Sequence, residues 1–287
     1  DALPIFLMKR IIGLLLASII VLAACSGGGN SKKVTVGVAS NDTAAWEKVK
    51  ELAKKDDIDL EIKHFSDYNV PNKALSDGDI DMNAFQHFAF LNEYKKAHKD
   101  AKIEAISTTV LAPLGIYSKK VKDIKDVKDG AQVMIPNDVS NQARALKLLE
   151  SAGLIKLKDN FGLSGTTKDI KDNPKHLKIK EVDAQQTARA LDDVDISVIN
   201  NGVATKAGLD AKKDPIYLES STSDAVKPYI NLIAVNSKDK DNKTYKKIVD
   251  LYHSKEAQEA LKKDTKDGEK AVDLSQKEIK DIEDSLK

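Results

Sequence analysis

Beyond residue 33, short β-branched runs alternate with stretches whose apolar residues recur at helical spacing. Residues 34–38 (VTVGV) predict a strand and 43–55 a helix. A strand at 60–65, a helix opening at Pro71 and running to 76, a short strand at 80–82 and a helix over 88–98 follow. Residues 103–118 read as one long extended stretch broken by Pro113 and Gly115. The alternation then restarts: strand 132–135, helix 140–152, strand 179–182, helix 187–191, strand 196–199 and strand 230–235, before a charged, helical last fifty residues. Strands separated by helices predict an α/β fold with a mainly parallel sheet. Two such series joined by an extended segment predict two lobes, crossed by residues 103–118 and 228–235.

In open α/β sheets ligands sit at the carboxyl ends of strands. The segments there are 40–42, 66–72, 83–87, 137–141 and 200–202, and they are dense in Asn, Ser and aromatic residues. Two lobes would aim them all into one cleft.

The N-terminal pattern is different. Met8-Lys9-Arg10 precedes an apolar run, residues 11–24, too short for a spanning helix of about 20 residues but suited to a secretory signal. The run ends in Leu22-Ala23-Ala24-Cys25, which resembles the lipobox of bacterial lipoproteins and implies cleavage before a diacylated Cys25. Several acyl chains on one residue make a stable anchor where one alone is marginal. Residues 26–31 (SGGGNS) read as a flexible tether. The expected organisation is a signal peptide at 1–24, its first seven residues non-native because Met8 is the start, and a lipid-anchored tether at 25–33. Lobe I comprises 34–114 and 230–287, and lobe II 115–229. The expected location is the extracytoplasmic face of the cell membrane.

Composition narrows the function. Apolar residues are 41% and charged residues 32% of the chain, as in a soluble globular protein. The 46 basic and 45 acidic residues form no block of like charge, which argues against a nucleic-acid partner. One Cys excludes a disulfide framework and a Cys-rich metal site. The five His are not paired at metal-ligand spacing, and only His87 falls in the cleft. No nucleophile elbow, Walker loop or dinucleotide fingerprint is present, and Gly162-Leu163-Ser164-Gly165 is not an elbow. No enzyme activity, cofactor or metal is therefore expected.

What chemistry remains is concentrated. Six of the fourteen aromatic residues (Phe65, Tyr68, Phe85, Phe88, Phe90, Tyr94) lie within residues 65–94. Phe88, Phe90 and Tyr94 read as core, whereas Tyr68 and Phe85, in polar turns, suit a ligand wall for a thioether or another soft apolar group. Beyond the signal, Arg144 and Arg189 are the only arginines. Arg144 follows Asn137-Asp138-Val139-Ser140-Asn141 in the first turns of a helix, where a planar guanidinium suits a carboxylate; the alternative is a salt bridge within lobe II. Arg189 reads as structural. Asn200, Asn201 and Asn231 offer amide oxygens to an ammonium, or act as backbone caps.

Four blocks, SDYNVPNKALSDGDIDMNAFQHFAFL (66–91), IPNDVSNQARALKLLESAGLI (135–155), ARALDDVDISVINNGVATKAGL (188–209) and YINLIAV (229–235), resemble the NlpA-type lipoproteins, methionine-binding receptors of ABC importers. The resemblance implies a two-lobed, type 2 periplasmic-binding-protein fold with its ligand cleft between the lobes. It implies as partners methionine or a methionine-containing dipeptide, an ABC permease and the lipid bilayer through Cys25, with the receptor a monomer. Carried across, the side-chain pocket falls on Tyr68, Phe85 and His87. The carboxylate clamp falls on Arg144 with Asn141 nearby, and the amine contacts on Asn200 and Asn231. The chain departs from many relatives at Val139, where they have Pro, at Gln142-Ala143 in place of paired glycines, and at Gly202-Val203-Ala204 in place of Asn-Tyr-Ala. The alternative readings are a metal-ion-binding lipoprotein receptor using His87 with carboxylates, and a surface hydrolase, tested at Ser164, or adhesin.

Overall fold

A computed structural model describes residues 31–39 and 43–287. The signal segment, Cys25 and the expected cleft segment 40–42 lie outside the described residues. Strands β1 (Lys32–Val38), β2 (Ile58–His64), β3 (Met82–His87) and β4 (Ile103–Leu111) alternate with helices α1 (Thr43–Ala53), α2 (Pro71–Asp77) and α3 (Phe88–Ala97). A second series follows: β5 (Gly115–Tyr117), β6 (Gln132–Pro136), α4 (Val139–Ser151), β7 (Lys156–Leu157), β8 (Ile170–Asp172), β9 (Lys178–Val182), β10 (Ile196–Ile199), α5 (Asn201–Lys206) and β11 (Tyr217–Leu218). The chain ends with β12 (Ile230–Asn236), α6 (Lys243–Tyr252), α7 (Lys255–Asp264), β13 (Lys270–Ala271) and α8 (Gln276–Ser285).

The strands form two main sheets. One runs β13-β4-β12-β3-β1-β2, the other β11-β5-β10-β6-β9, and β7 pairs with β8 alone. Every strand of the second sheet comes from residues 115–218, so the polypeptide leaves the first sheet after β4 and returns to it at β12. That division is the two-lobed α/β arrangement expected.

The sheets are mixed rather than mainly parallel. β1 is parallel to β3, and β6 is parallel to both β10 and β9. β12, however, runs antiparallel to β3 and to β4, and β5 antiparallel to β10 and to β11. A strand that returns from the other lobe enters without a crossover helix behind it, so nothing enforces parallel pairing.

Alternation along the strands feeds two cores per sheet. In β12, Ile233 and Val235 join Val34, Val36, Trp46 and Tyr252 under α1, α6 and α7. Ile230, Leu232 and Ala234 point the other way, to Leu75, Phe88, Leu91, Ile279 and Ile282 of α2, α3 and α8. In the second sheet Ile116, Val133, Ile135, Ile196 and Val198 pack on Leu146 and Leu149 of α4. Helix α1 buries Ala45, Trp46, Val49 and Ala53, a stripe at helical spacing.

Three local expectations are corrected. The strand expected at 80–82 lies at Met82–His87, so Phe85 and His87 sit on a strand and not in a polar turn. All six of its residues are buried, and a strand covered on both faces shows no alternation to read. The helix expected at 187–191 is two 3₁₀ turns, Ala184–Gln186 and Arg189–Asp192, too short to offset α-helix nucleation. The last fifty residues also contain β13, an edge strand paired antiparallel to β4, whose Lys-Ala sequence carries no strand signal.

Candidate functional site

Between the two sheets lies a small, largely closed cavity of about 50 Å³. All seven residues expected to bind ligand, Tyr68, Phe85, His87, Asn141, Arg144, Asn200 and Asn231, line it. Three strand ends bring five of them there: β3 carries Phe85 and His87, the β6–α4 turn precedes Asn141 and Arg144, and Asn200 follows the end of β10.

The apolar wall is a set of mutually packed rings. Phe85 and Phe90 meet edge to face at 5.6 Å between centroids, and Tyr68 lies 6.1 Å from Phe85 and 6.2 Å from Phe90. Phe90, expected in the core, is therefore part of the cavity wall, while Phe88 is fully buried in the core. Burial pushes the Tyr68 phenol well above its ordinary pKa, so it stays neutral. Tyr68 also packs against the apolar cluster of Tyr117, Leu191, Ile199, Val203 and Ala204, bridging from the first sheet's loops to the second sheet.

His87 ends β3 and caps α3. Its Nδ1 accepts from the Phe90 N–H at 3.1 Å, so the proton is on Nε2, which donates to Asn141 Oδ1 at 3.2 Å. Burial, and then the Arg144 charge, push its pKa down to about 3. The sign of the resulting pH effect is fixed: the unfolded chain takes up the proton near the ordinary 6.5, the folded one only near 3. Stability is therefore full above 6.5 and falls as pH drops from there towards 3. Urea midpoints measured across that range should decline, and Glu, Asp and other His aside, His87→Gln should flatten the profile. A superimposable profile would place the proton uptake elsewhere.

Asn141 is fully engaged inside the protein. Its Oδ1 also accepts from Asn200 Nδ2 at 2.8 Å, and its Nδ2 donates to Asp138 at 2.9 and 3.1 Å. Asp138 is the N-cap of α4, receiving the Asn141 N–H at 3.0 Å. Burial raises the pKa of its carboxyl in spite of these bonds. Asn141 thus braces the cavity, whereas the Oδ1 atoms of Asn200 and Asn201 are buried with no hydrogen-bond partner among the described residues. Asn231 Nδ2 makes a long 3.4 Å bond to Val110 O.

Arg144 is 3% exposed. Its Nε donates to Glu219 Oε1 at 2.9 Å and its Nη2 to Glu219 Oε2 and to Ala112 O, the latter at 3.0 Å. The guanidinium carbon lies 4.4 Å from the centroid of Tyr229, whose ring meets His87 edge-on at 5.3 Å. Burial works against the Arg144 charge, but Glu219 more than offsets it and holds the pKa above the ordinary value. Arg144 therefore makes the salt bridge that was the alternative expectation, and it also lines the cavity. Arg189 is exposed and lies outside this cavity.

Glu219, Tyr229 and Glu269 were not anticipated. Glu219 lies in a polar stretch without periodicity, and its only signal is the need of a buried arginine for a counter-charge. Glu269 lines the cavity because the β13 edge strand that follows it docks on β4. Among the described residues, no three His, Cys, Asp or Glu side chains gather as a metal ion would require.

The model of the NlpA lipoproteins matches residues 34–273. The chain belongs to the NlpA lipoprotein family. Among curated relatives, the D-methionine-binding lipoprotein MetQ of Escherichia coli is 40% identical over 256 residues, covering 88% of this chain and 93% of that one. The crystal structure of the Staphylococcus aureus protein PG110 is 80% identical, covers 88% of this chain and all of that one, and superposes with a TM-score of 0.88. A nutrient binding protein from Burkholderia cenocepacia, solved bound to methionine, is 45% identical over 83% of this NlpA lipoprotein and 99% of its own chain, with a TM-score of 0.79.

Proposed function

We propose that this NlpA lipoprotein is an extracytoplasmic receptor that binds methionine or a methionine-containing dipeptide and hands it to an ABC importer, without covalent chemistry. One observation carries the reading. A buried guanidinium, a three-ring wall and two unpartnered amide oxygens share one hollow between the sheets. A methionine has one group for each: carboxylate, thioether and ammonium. Tyr68, Phe85, His87 and Phe90 receive the thioether, where sulfur–ring contacts contribute roughly 0.3–1.5 kcal/mol. Arg144 receives the carboxylate, Asn200, with Asn231, receives the ammonium, and Asn141 acts by bracing His87 and Asn200. The names of the relatives favour methionine over the metal-ion alternative.

Lobe I comprises 34–114 and 230–287 and lobe II 115–229, so a guest touching both favours the closed arrangement. The receptor is a monomer held to the membrane by acylated Cys25, a reading supported by the lipobox-like Leu22-Ala23-Ala24-Cys25 sequence; among the described residues no helix is long and apolar enough to cross a membrane.

Calorimetric titration of the protein with L-methionine, D-methionine and methionine-containing dipeptides tests the reading. At least one should bind saturably. At a hundred times its Kd that ligand should raise the unfolding free energy by about 2.7 kcal/mol. The absence of both binding heat and stabilisation with every one of these ligands would overturn it.

A further inference from the structure

We propose that Glu219 positions the carboxylate clamp and sets the charge that the cavity accepts, admitting a carboxylate only when an ammonium comes with it. This rests on the reading of the site as a receptor for a zwitterionic amino acid or peptide.

The positioning part is geometric. Glu219 occupies Nε and Nη2 of Arg144 in a fork, leaving Nη1 as the guanidinium nitrogen without a hydrogen bond to a described residue. The same carboxylate accepts the Leu114 N–H through Oε2 at 3.1 Å, and the Glu219 N–H donates to Leu114 O at 2.9 Å. Arg144 Nη2 reaches Ala112 O. The ion pair is thereby pinned to residues 112–114, where the chain crosses from β4 to β5. A guanidinium held in this way has one edge to offer and cannot rotate to follow a misplaced guest.

The charge part follows from the count. Arg144 alone would attract any anion into a buried site. Paired with Glu219 it is close to neutral. An anion without an amine then meets little attraction to offset its desolvation. A zwitterion brings its own cation to Asn200 Oδ1, which is buried with no hydrogen-bond partner among the described residues.

The test uses three guests: methionine, 4-(methylsulfanyl)butanoate, which lacks the ammonium, and 3-(methylsulfanyl)propylamine, which lacks the carboxylate. With the unmodified protein, losing the ammonium should cost at least about tenfold more affinity than losing the carboxylate. The reverse order would overturn the proposal whether or not any variant folds. In Glu219→Gln, the preference for methionine over the butanoate should shrink by about tenfold or more. In Glu219→Asp, which keeps the charge and shortens the reach, both guests should weaken while that preference stays within about threefold of its original value. An unchanged preference in Glu219→Gln, or an equal collapse in both variants, would reduce Glu219 to a structural residue. Failure of the unmodified protein to bind methionine at all would instead refute the receptor reading itself.

Discussion

Arg144→Ala should weaken methionine binding by about 2–5 kcal/mol, roughly thirty- to several-thousand-fold in Kd. The loss has two sources of the same sign. The guest carboxylate forfeits its only buried guanidinium partner, and Glu219, no longer neutralised, is left as a partly buried anion facing it. Folding should suffer as well, because Ala112 O loses a donor and Tyr229 the cation stacked on its ring. Arg144→Lys restores a positive charge but cannot occupy Glu219, Ala112 O and a guest at once with a single ammonium on a flexible stem. It should recover less than half of the lost free energy in calorimetry. Affinity unchanged in Arg144→Ala would remove this residue from the binding site.

Trp46→Ala should cost about 3–5 kcal/mol of folding stability, a large share of the roughly 5–15 kcal/mol that domains possess. Trp46 is fully buried on α1, with its ring 5.1 Å from that of Tyr252 on α6. Its removal opens a void that rigid strands β1 and β12 cannot collapse to fill. It is the only tryptophan, so urea unfolding has to be followed by circular dichroism. Trp46→Phe, which keeps a ring against Tyr252, should lose markedly less. Equal midpoints for the native and Ala proteins would mean that the α1–α6 contact adds nothing to the cooperative core.

Much of this architecture could be read from the sequence wherever elements are long and one-sided. α1, α4 and β12 carry their apolar residues at the period their structure demands, and each appears within a few residues of its expected bounds. β3 was misplaced because it is buried on both faces and carries Asn83, Gln86 and His87 in place of an alternating pattern. Those polar residues are satisfied by partners distant in sequence, such as Asn72 with Gln86 at 2.8 Å, which no local rule exposes. The cavity followed the same division. Residues at strand ends and helix starts could be anticipated, since chain direction alone places them. Glu219, Tyr229 and Glu269 arrive by tertiary docking, and the four side-chain bonds of Asn141, expected beside the clamp, become visible only in three dimensions.

The bond from His87 to Asn141 joins a strand of one sheet to a helix of the other, and Asn201 Nδ2 reaches Gly268 O across the same seam at 3.1 Å. These are neutral contacts, each contributing about 1 kcal/mol net, and water can replace either without leaving a charge stranded. Each of these two bonds is therefore inexpensive to break, and neither alone can hold the halves shut. A passenger that touches both sides lengthens the dwell in the gripping posture, and that added grip is what a permease has to overcome.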